Sequence, residues 1–156
     1  MKILIIDSTT EVLKVFIAEN KKIESFEFED KNLFSLLDNI FSSHKDIQYI
    51  AINKGPGSFT RTKVGLSYIK GFCYASKIPL IAISGFEVLE KEGKKLIINA
   101  GRGKVYLKDE KGYKIEKGEA RDSINYDKFL DLVLDRIERK IFDDPLKVLP
   151  LYVSEI

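Results

Sequence analysis

Residues 2–7 read Lys-Ile-Leu-Ile-Ile-Asp, an apolar run that ends in a carboxylate, and this stretch decides the fold. A run without alternation is typical of a central strand that is buried on both faces of its sheet. Residues 12–18 are again rich in apolar and β-branched residues, whereas residues 23–29 alternate apolar with polar residues, as a half-exposed edge strand does. Three such runs in series, with a hairpin loop at 19–22, predict an antiparallel meander.

The hydrophobic period then changes from that of a strand to that of a helix. The next four elements are predicted to be a helix, a strand, a helix and a strand, at residues 31–43, 49–53, about 61–76 and 79–83. Ser84 and Glu87 have the spacing of a capping box, which predicts a short third helix. The order βββαβαβα with right-handed crossovers predicts an α/β fold on a mixed sheet. This is the ribonuclease-H-like half-domain that actin-like ATPases and several nucleases use.

Beyond Gly93 the pattern of strands followed by a helix begins again. Three strands are predicted at 96–99, 104–108 and 112–116, and a helix at 126–136. The remaining chain is too short for a complete second copy of the first unit. The sequence therefore predicts a half-domain over residues 1–93 and a truncated second half-domain over residues 94–156.

Composition excludes several classes of protein. The chain has 26 Lys and Arg residues against 24 Asp and Glu residues, with one Cys (Cys73) and one His (His44). The near balance of charge argues against a protein that mainly binds nucleic acid through a basic face. One Cys excludes a disulfide within the chain, and a Cys/His zinc site lacks ligands. The absence of an apolar run of ~18 residues and the early Asp7 predict a cytoplasmic protein without a membrane partner.

A glycine loop lies between the fourth strand and the second long helix; its residues are Gly55, Pro56, Gly57, Ser58, Phe59 and Thr60. The backbone N–H groups of such a loop can bind phosphate. However, the loop lacks the Gly-Lys of a P-loop, and Thr60 stands where a dinucleotide loop needs glycine. Phosphate binding and a tight strand-to-helix turn, with Ser58 or Thr60 as N-cap, both remain open, and the turn is favoured. Gly57 is expected to adopt a backbone conformation that other residues disfavour.

Asp7, at the end of the first strand, is the other candidate site residue. Two-metal nucleases need clustered carboxylates, yet the end of the fourth strand offers Asn53 and the loop after it has no acid. We therefore expect Asp7 to support the glycine loop, and we expect no catalytic residue, no metal site and no cofactor.

The helix at 61–76 is apolar almost all round, although a helix on one sheet face needs an apolar arc of only ~100°. Either it is buried on two sides or it presents a second face to a partner, and the small size of the domain favours a partner. Gly65 and Gly71 permit close approach of another helix. The predicted contact residues are Phe34, Leu37 and Phe41 on the first helix and Gly65, Tyr68, Ile69, Gly71 and Phe72 on the second. Either Ile69 or Phe72 is expected to face outward.

Six basic residues permit two interpretations, a patch near the glycine loop or scattered solvated charges. They are Arg61, Lys63, Lys70, Lys77, Arg102 and Lys104. The near-zero net charge favours the second interpretation.

The sequence resembles the TsaB (YeaZ) family at residues 55–60. These residues are followed, as in that family, by a basic residue, Val-Gly and a long helix with small residues. The opening strand, residues 99–106 and residues 150–153 agree with it. The resemblance implies an actin-like fold and a catalytically silent protein, a pseudo-enzyme, in tRNA threonylcarbamoyladenosine biosynthesis. It implies that the chain binds the catalytic subunit TsaD, joins TsaE in a larger complex and forms a homodimer, with tRNA contacted only indirectly or weakly. The alternative function is an actin-like-fold ATPase or phosphotransferase acting on a small molecule.

Overall fold

A five-stranded mixed sheet organises the N-terminal part of the chain in the computed structural model, which describes residues 1–29, 32–120 and 124–153. Its strands are β1 (Lys2–Asp7), β2 (Leu13–Glu19), β3 (Lys22–Phe28), β4 (Tyr49–Asn53) and β5 (Leu80–Ile83). The order across the sheet is β3-β2-β1-β4-β5. Strands β1, β2 and β3 pair antiparallel, whereas β4 pairs parallel with both β1 and β5. The predicted meander and parallel crossovers are therefore confirmed.

Two helices cover each face of this sheet. On one face lie α1 (Leu33–Ser43) and α2 (Phe59–Ser76), and on the other lie α3 (Gly85–Lys91) and α4 (Tyr126–Glu138). Because side chains alternate along a strand, Leu4 and Ile6 of β1 join the first cluster and Ile3 and Ile5 join the second. Because helices cover both faces of the sheet, both sides of β1 are buried, and its sequence does not alternate apolar with polar residues.

A second, three-stranded antiparallel sheet follows α3, with the order β6-β7-β8. Its strands are β6 (Ile97–Gly101), β7 (Lys104–Asp109) and β8 (Gly112–Lys117). Although α4 comes after this sheet in the chain, its Phe129 and Val133 are fully buried against the first sheet, beside Ala51 and Ile81. The division of the chain at residue 93 stays a prediction.

The helix starts follow from local hydrogen bonds. Ser84 accepts from the N–H of Glu87 at 3.2 Å, and Glu87 accepts from the N–H of Ser84 at 2.7 Å, so the predicted capping box is confirmed. Helix α2 begins at Phe59, two residues earlier than predicted, with Ser58 at the N-cap position but without a side-chain cap bond. None of the helices in the described residues is long and apolar enough to cross a membrane.

The C-terminal segment docks on α2 and on the glycine loop. Val148 is buried in the first cluster, and its carbonyl oxygen accepts a hydrogen bond from Lys70 Nζ at 2.7 Å. The N–H of Leu151 donates to the carbonyl oxygen of Lys54 at 2.7 Å. The residues from Val148 to Val153 therefore lie against the start of the loop that the sequence singles out.

Candidate functional site

A cleft of about 500 Å³ lies between the ends of β1 and β4 on one side and the three-stranded sheet on the other. The glycine loop contributes Pro56, Gly57 and Ser58 to its wall, and the facing sheet contributes Asn99 and Tyr106. Two elements far apart in the chain thus enclose one cavity.

Asp7 lies in this cleft with only 3% of its surface exposed. Its Oδ1 accepts hydrogen bonds from the N–H of Thr9 at 2.9 Å and from the Thr9 hydroxyl at 2.6 Å. Its Oδ2 accepts from Asn53 Nδ2 at 3.0 Å and from the Tyr126 hydroxyl at 2.6 Å. Asn53 Oδ1 in turn accepts from the N–H of Gly55 at 3.0 Å, so Asn53 links the carboxylate to the glycine loop.

These contacts determine what the carboxylate can do. A carboxylate has about four acceptor sites, and here four donors occupy them. Burial, and then the charge and hydrogen bond of Asp7, raise the pKa of Tyr126, so its phenol stays protonated and donates. Among the described residues, no group of three or more His, Cys, Asp or Glu side chains has metal-binding geometry. The four hydrogen bonds of Asp7 therefore tie three segments of the chain together.

The glycine loop uses two of its backbone N–H groups internally. The N–H of Ser58 donates to the carbonyl oxygen of Thr9 at 2.7 Å, and that of Gly55 is bound by Asn53. Two donors that a phosphate would need are thus occupied, which favours the tight-turn interpretation.

The expectation for Gly57 is wrong, because the left-handed glycine of the loop is Gly55, with φ of 114°. Gly57 is required for space: a Cβ there would lie 2.5 Å from the carbonyl oxygen of Thr9 and 3.0 Å from its Cα. Backbone atoms cannot move aside as a side chain can. The β1–β2 turn therefore packs directly on the loop.

We expect Gly57→Ala to lower the free energy of unfolding by about 2 kcal/mol, because the new methyl group forces the loop away from Thr9. Gly71→Ala is the matched control, since nothing lies within 4 Å of a Cβ at that exposed helical position. The control should stabilise the protein by up to ~1 kcal/mol through helix propensity. Urea denaturation measures both variants, and equal effects of the two substitutions would contradict the packing argument.

The structure separates the predicted partner-contact residues into two groups. Leu37, Phe41, Gly65 and Ile69 are buried against the sheet, with Ile69 fully inaccessible. Assigning these four to an exposed surface was wrong, because α1 turns the side with Leu37 and Phe41 toward the sheet and α2 turns the side with Gly65 and Ile69 toward it.

The other four predicted residues do reach the surface. Phe34 is 52% exposed, Gly71 is exposed with open space around it, and Tyr68 and Phe72 are half-buried. We call Phe34, Tyr68, Gly71 and Phe72 the helix-pair surface, because they lie on the outward sides of α1 and α2.

Aromatic rings on both helices hold the helix-pair surface together, and one of these rings belongs to the buried Phe41. The ring centroids of Phe41 and Phe72 lie 3.8 Å apart, and those of Phe34 and Tyr68 lie 5.8 Å apart. The Tyr68 hydroxyl donates to Asp38, which joins α2 to α1. Burial, followed by this hydrogen bond, raises the pKa of Tyr68 to about 12, so the phenol remains a donor at neutral pH.

Sequence reasoning missed two tyrosines of the cleft. Tyr126 reaches Asp7 from 119 residues away, and the Tyr106 hydroxyl donates to the carbonyl oxygen of Gly57 at 3.1 Å. Each residue follows an ordinary strand or helix pattern, so only the packing of α4 and of the three-stranded sheet reveals its role.

Comparison with curated proteins finds relatives over part of the chain. A Bacillus subtilis protein named tRNA threonylcarbamoyladenosine biosynthesis protein TsaB is 33% identical over 78 residues, which cover 46% of this chain and 34% of the relative. An Escherichia coli protein of the same name is 28% identical over 93 residues, which cover 54% of this chain and 40% of the relative. The chain thus spans less than half of the length of the curated relatives it matches.

Solved structures agree with the fold over nearly the whole chain. The structure of YeaZ from Pseudomonas aeruginosa has a TM-score of 0.68 at 16% identity and covers 97% of this chain and 99% of its own. A second Pseudomonas aeruginosa structure, of a protein described as similar to peptidase YEAZ, has a TM-score of 0.66 at 16% identity, with coverages of 98% and 99%. The predicted α/β fold with an actin-like (ribonuclease-H-like) mixed sheet is confirmed.

A protein family described as "TsaD: tRNA N6-adenosine threonylcarbamoyltransferase" matches residues 30–142. The curated relatives named TsaB confirm the family resemblance that the sequence predicted. Because the family match covers well over half of the chain, this chain belongs to the family described as TsaD: tRNA N6-adenosine threonylcarbamoyltransferase and is related to its TsaB (YeaZ) proteins.

Proposed function

We propose that this chain is a non-catalytic scaffold subunit in tRNA threonylcarbamoyladenosine biosynthesis that binds the catalytic subunit TsaD through the helix-pair surface. The names of the curated relatives support the pathway. The observation that carries the binding role is Phe34, an aromatic side chain that is left 52% exposed on α1. A cytoplasmic location, a larger complex with TsaE and a homodimer belong to the same proposal.

The geometry of α1 and α2 suits a helical partner. Ser67, Gly71 and Ala75 recur every four residues and are all exposed, so they form a shallow outward groove along α2. Two helices with such a groove can pack against two others as a four-helix bundle. The half-exposed rings of Tyr68 and Phe72 flank the groove and supply apolar surface of the kind that interface cores bury.

The non-catalytic part of the proposal rests on the cleft. The four hydrogen bonds to Asp7 leave that carboxylate no free acceptor for a metal ion or a proton. The N–H groups of Gly55 and Ser58 are bound within the protein. The alternative, an actin-like ATPase or phosphotransferase acting on a small molecule, has the 500 Å³ cleft in its favour.

Size-exclusion chromatography with light scattering tests the scaffold role. The chain should run alone as a monomer or homodimer and should form a heterodimer when mixed with TsaD from the same source at ~10 µM each, a concentration at which a standard-size interface is occupied. Separate elution of the two proteins at that concentration would refute the proposal.

We expect the purified chain to hydrolyse no ATP, because Asp7 has no free acceptor for a metal ion or a water proton. A coupled assay that detects ~0.1 turnovers per second covers even slow enzymes. Activity above that level in the wild type that disappears in Asp7→Asn would support the ATPase alternative.

A further inference from the structure

The two outer edges of the five-stranded sheet differ in how they are covered. At the β5 edge, the N–H of Asp143 donates to the carbonyl oxygen of Leu80 at 2.8 Å, and Asp143 Oδ2 accepts from the N–H of Ala82 at 2.7 Å. At the opposite edge, β3 pairs with β2 and, within the part of the chain that the structure describes, with no other strand. Six of the seven residues of β3 are exposed. An open edge of this kind is a template for another strand.

The turn between β2 and β3 determines which backbone groups point outward from this edge. Asn20 and Lys21 both have positive φ, of 49° and 67°, as a two-residue type I′ turn requires. Such a turn is closed by a hydrogen-bonded pair, which here is Glu19 with Lys22. Bonded and non-bonded pairs alternate along an antiparallel ladder, so every second residue of β3 turns its N–H and C=O away from β2. These outward residues are Ile23, Ser25 and Glu27.

The outward residues are symmetric about Ser25. If a second copy lies antiparallel with its own Ser25 opposite this one, Ile23 of each copy is opposite Glu27 of the other. All of the outward groups then exchange hydrogen bonds, about six in total. Moving the centre one residue forward would place Ile23 opposite Glu29, which lies beyond the end of β3, and moving it one residue back would place Glu24 opposite itself. The strand is therefore self-complementary in one register.

The charges near the ends of β3 suit the same antiparallel arrangement. Lys21 and Lys22 lie at its start and Glu27 and Glu29 lie near its end, and all four are exposed. With Ser25 on the two-fold axis, the basic end of each copy lies beside the acidic end of the other, and Lys21 is opposite Glu29. Opposite charges that face each other across a ladder are favourable, so this arrangement is electrostatically matched.

Exposed apolar side chains lie on both faces of the open edge. Phe26 is 38% exposed on the face that α1 covers, where it lines a groove of about 220 Å³ with Ile40. Ile23 is 48% exposed on the other face, where it lines a second cavity with Leu134 of α4. In the antiparallel arrangement the two Phe26 rings are diagonal neighbours across the axis, within the reach of aromatic side chains.

We propose that β3 is a self-pairing edge, through which two copies of this chain join their sheets about a two-fold axis at Ser25. Only two strand edges meet, which is less than a standard interface, so we expect a weak Kd of ~0.1–1 mM. At the ~10 µM used with TsaD most copies are therefore unpaired at this edge. The helix-pair surface lies on α1 and α2, so the two associations are measured separately.

Sedimentation equilibrium of the full chain between ~10 µM and ~1 mM tests the proposal. Phe34→Asp is the background for every sample, because it removes association through the helix-pair surface and leaves β3 unchanged. Its weight-average mass should rise ~1.5-fold or more over this range. Ser25→Pro in that background should fold and lose the rise, because the N–H of Ser25 points away from β2 and proline is tolerated at such edge positions.

A pair of charge variants tests the register. Ser25→Lys and Ser25→Glu each place like charges opposite each other on the axis, so each should weaken the association at least ~3-fold. An equimolar mixture of the two should restore it, because opposite charges then meet. Ser42→Lys, the same change as Ser25→Lys at an exposed residue of α1, is the matched control and should leave the association unchanged.

Three outcomes would overturn self-pairing. They are a constant mass in the Phe34→Asp background, an undiminished rise in folded Ser25→Pro, and a mixture of the charge variants that associates no better than each alone. Circular dichroism verifies the fold, and the charge variants decide the question if Ser25→Pro does not fold. Loss of TsaD binding in folded Ser25→Pro would also contradict the proposal, because the edge would then accept a strand of TsaD.

Discussion

Phe34→Asp leaves the chain folded and lowers its affinity for TsaD at least ~100-fold, because central apolar contacts carry most of the energy of an interface. Phe34 is 52% exposed, so the monomer loses little buried area when the ring is removed. In the complex, the new carboxylate would be buried opposite apolar helices without a partner, at a cost of several kcal/mol. Isothermal titration calorimetry with TsaD measures the affinity, and circular dichroism verifies the fold.

Gly71→Arg tests the same surface by steric means. Nothing lies within 4 Å of a Cβ at Gly71, so the monomer accepts the side chain while a close-packed partner helix does not. The matched control for Phe34→Asp is Leu146→Asp, which makes the same apolar-to-Asp change at a side chain that is 68% exposed, just before the C-terminal segment. Native affinity in both Phe34→Asp and Gly71→Arg would show that TsaD binds elsewhere.

Homodimer and heterodimer are expected to compete, because the proposal assigns one surface to both. Adding TsaD to a homodimer should therefore give a mixture of heterodimer and free chains, never a trimer, in light scattering. Ile69→Asp is unsuitable as a test, since Ile69 is fully buried and a carboxylate there would unfold the protein.

Asp7→Ala should lower the free energy of unfolding by about 3–4 kcal/mol. The substitution leaves four buried or half-buried donors, from Thr9, Asn53 and Tyr126, without their acceptor. Asn53 also holds the N–H of Gly55, so the glycine loop loses its link to β1. Urea denaturation followed by circular dichroism gives the value.

Tyr126→Phe is the control for Asp7→Ala. It removes one of the four donors and keeps the ring, whose centroid lies 4.4 Å from that of Phe16, so it should cost about 1 kcal/mol. An Asp7→Ala protein as stable as Tyr126→Phe would mean that the three segments are held by packing alone.

The order of elements was predictable because hydrophobic period and end signals are local. The unbroken apolar run of β1 and the capping box at Ser84 each specify one element, and both are confirmed. The edge position of β3 is confirmed too, but six of its seven residues are exposed, so the expected half-buried face does not form. The position of α4 was not predictable. Its apolar stripe, centred on Phe129 and Val133, fits either sheet, and only the finished fold shows that it covers the first.

The candidate site was only partly predictable from the sequence. The position of Asp7 next to the glycine loop follows from strand order, but its bond to Tyr126 depends on where α4 packs. A helix that is apolar all round does not reveal its inward face, so Ile69 and Phe72 were indistinguishable in the sequence. The roles of Gly55 and Gly57 could not be told apart either. Gly55 is required by its positive φ and Gly57 by the close approach of Thr9, and neither cause can be read from the sequence.

The return of α4 to the first sheet has a consequence for synthesis on the ribosome. The face of the sheet that carries Ile3 and Ile5 is complete once β5 has emerged, yet part of its cover, Phe129 and Val133, is translated almost fifty residues later. At ~5–20 residues per second, this apolar face stays partly uncovered for several seconds in every nascent chain. During that interval the chain is a substrate for chaperones that bind exposed apolar segments, and α4 competes with them for the same face.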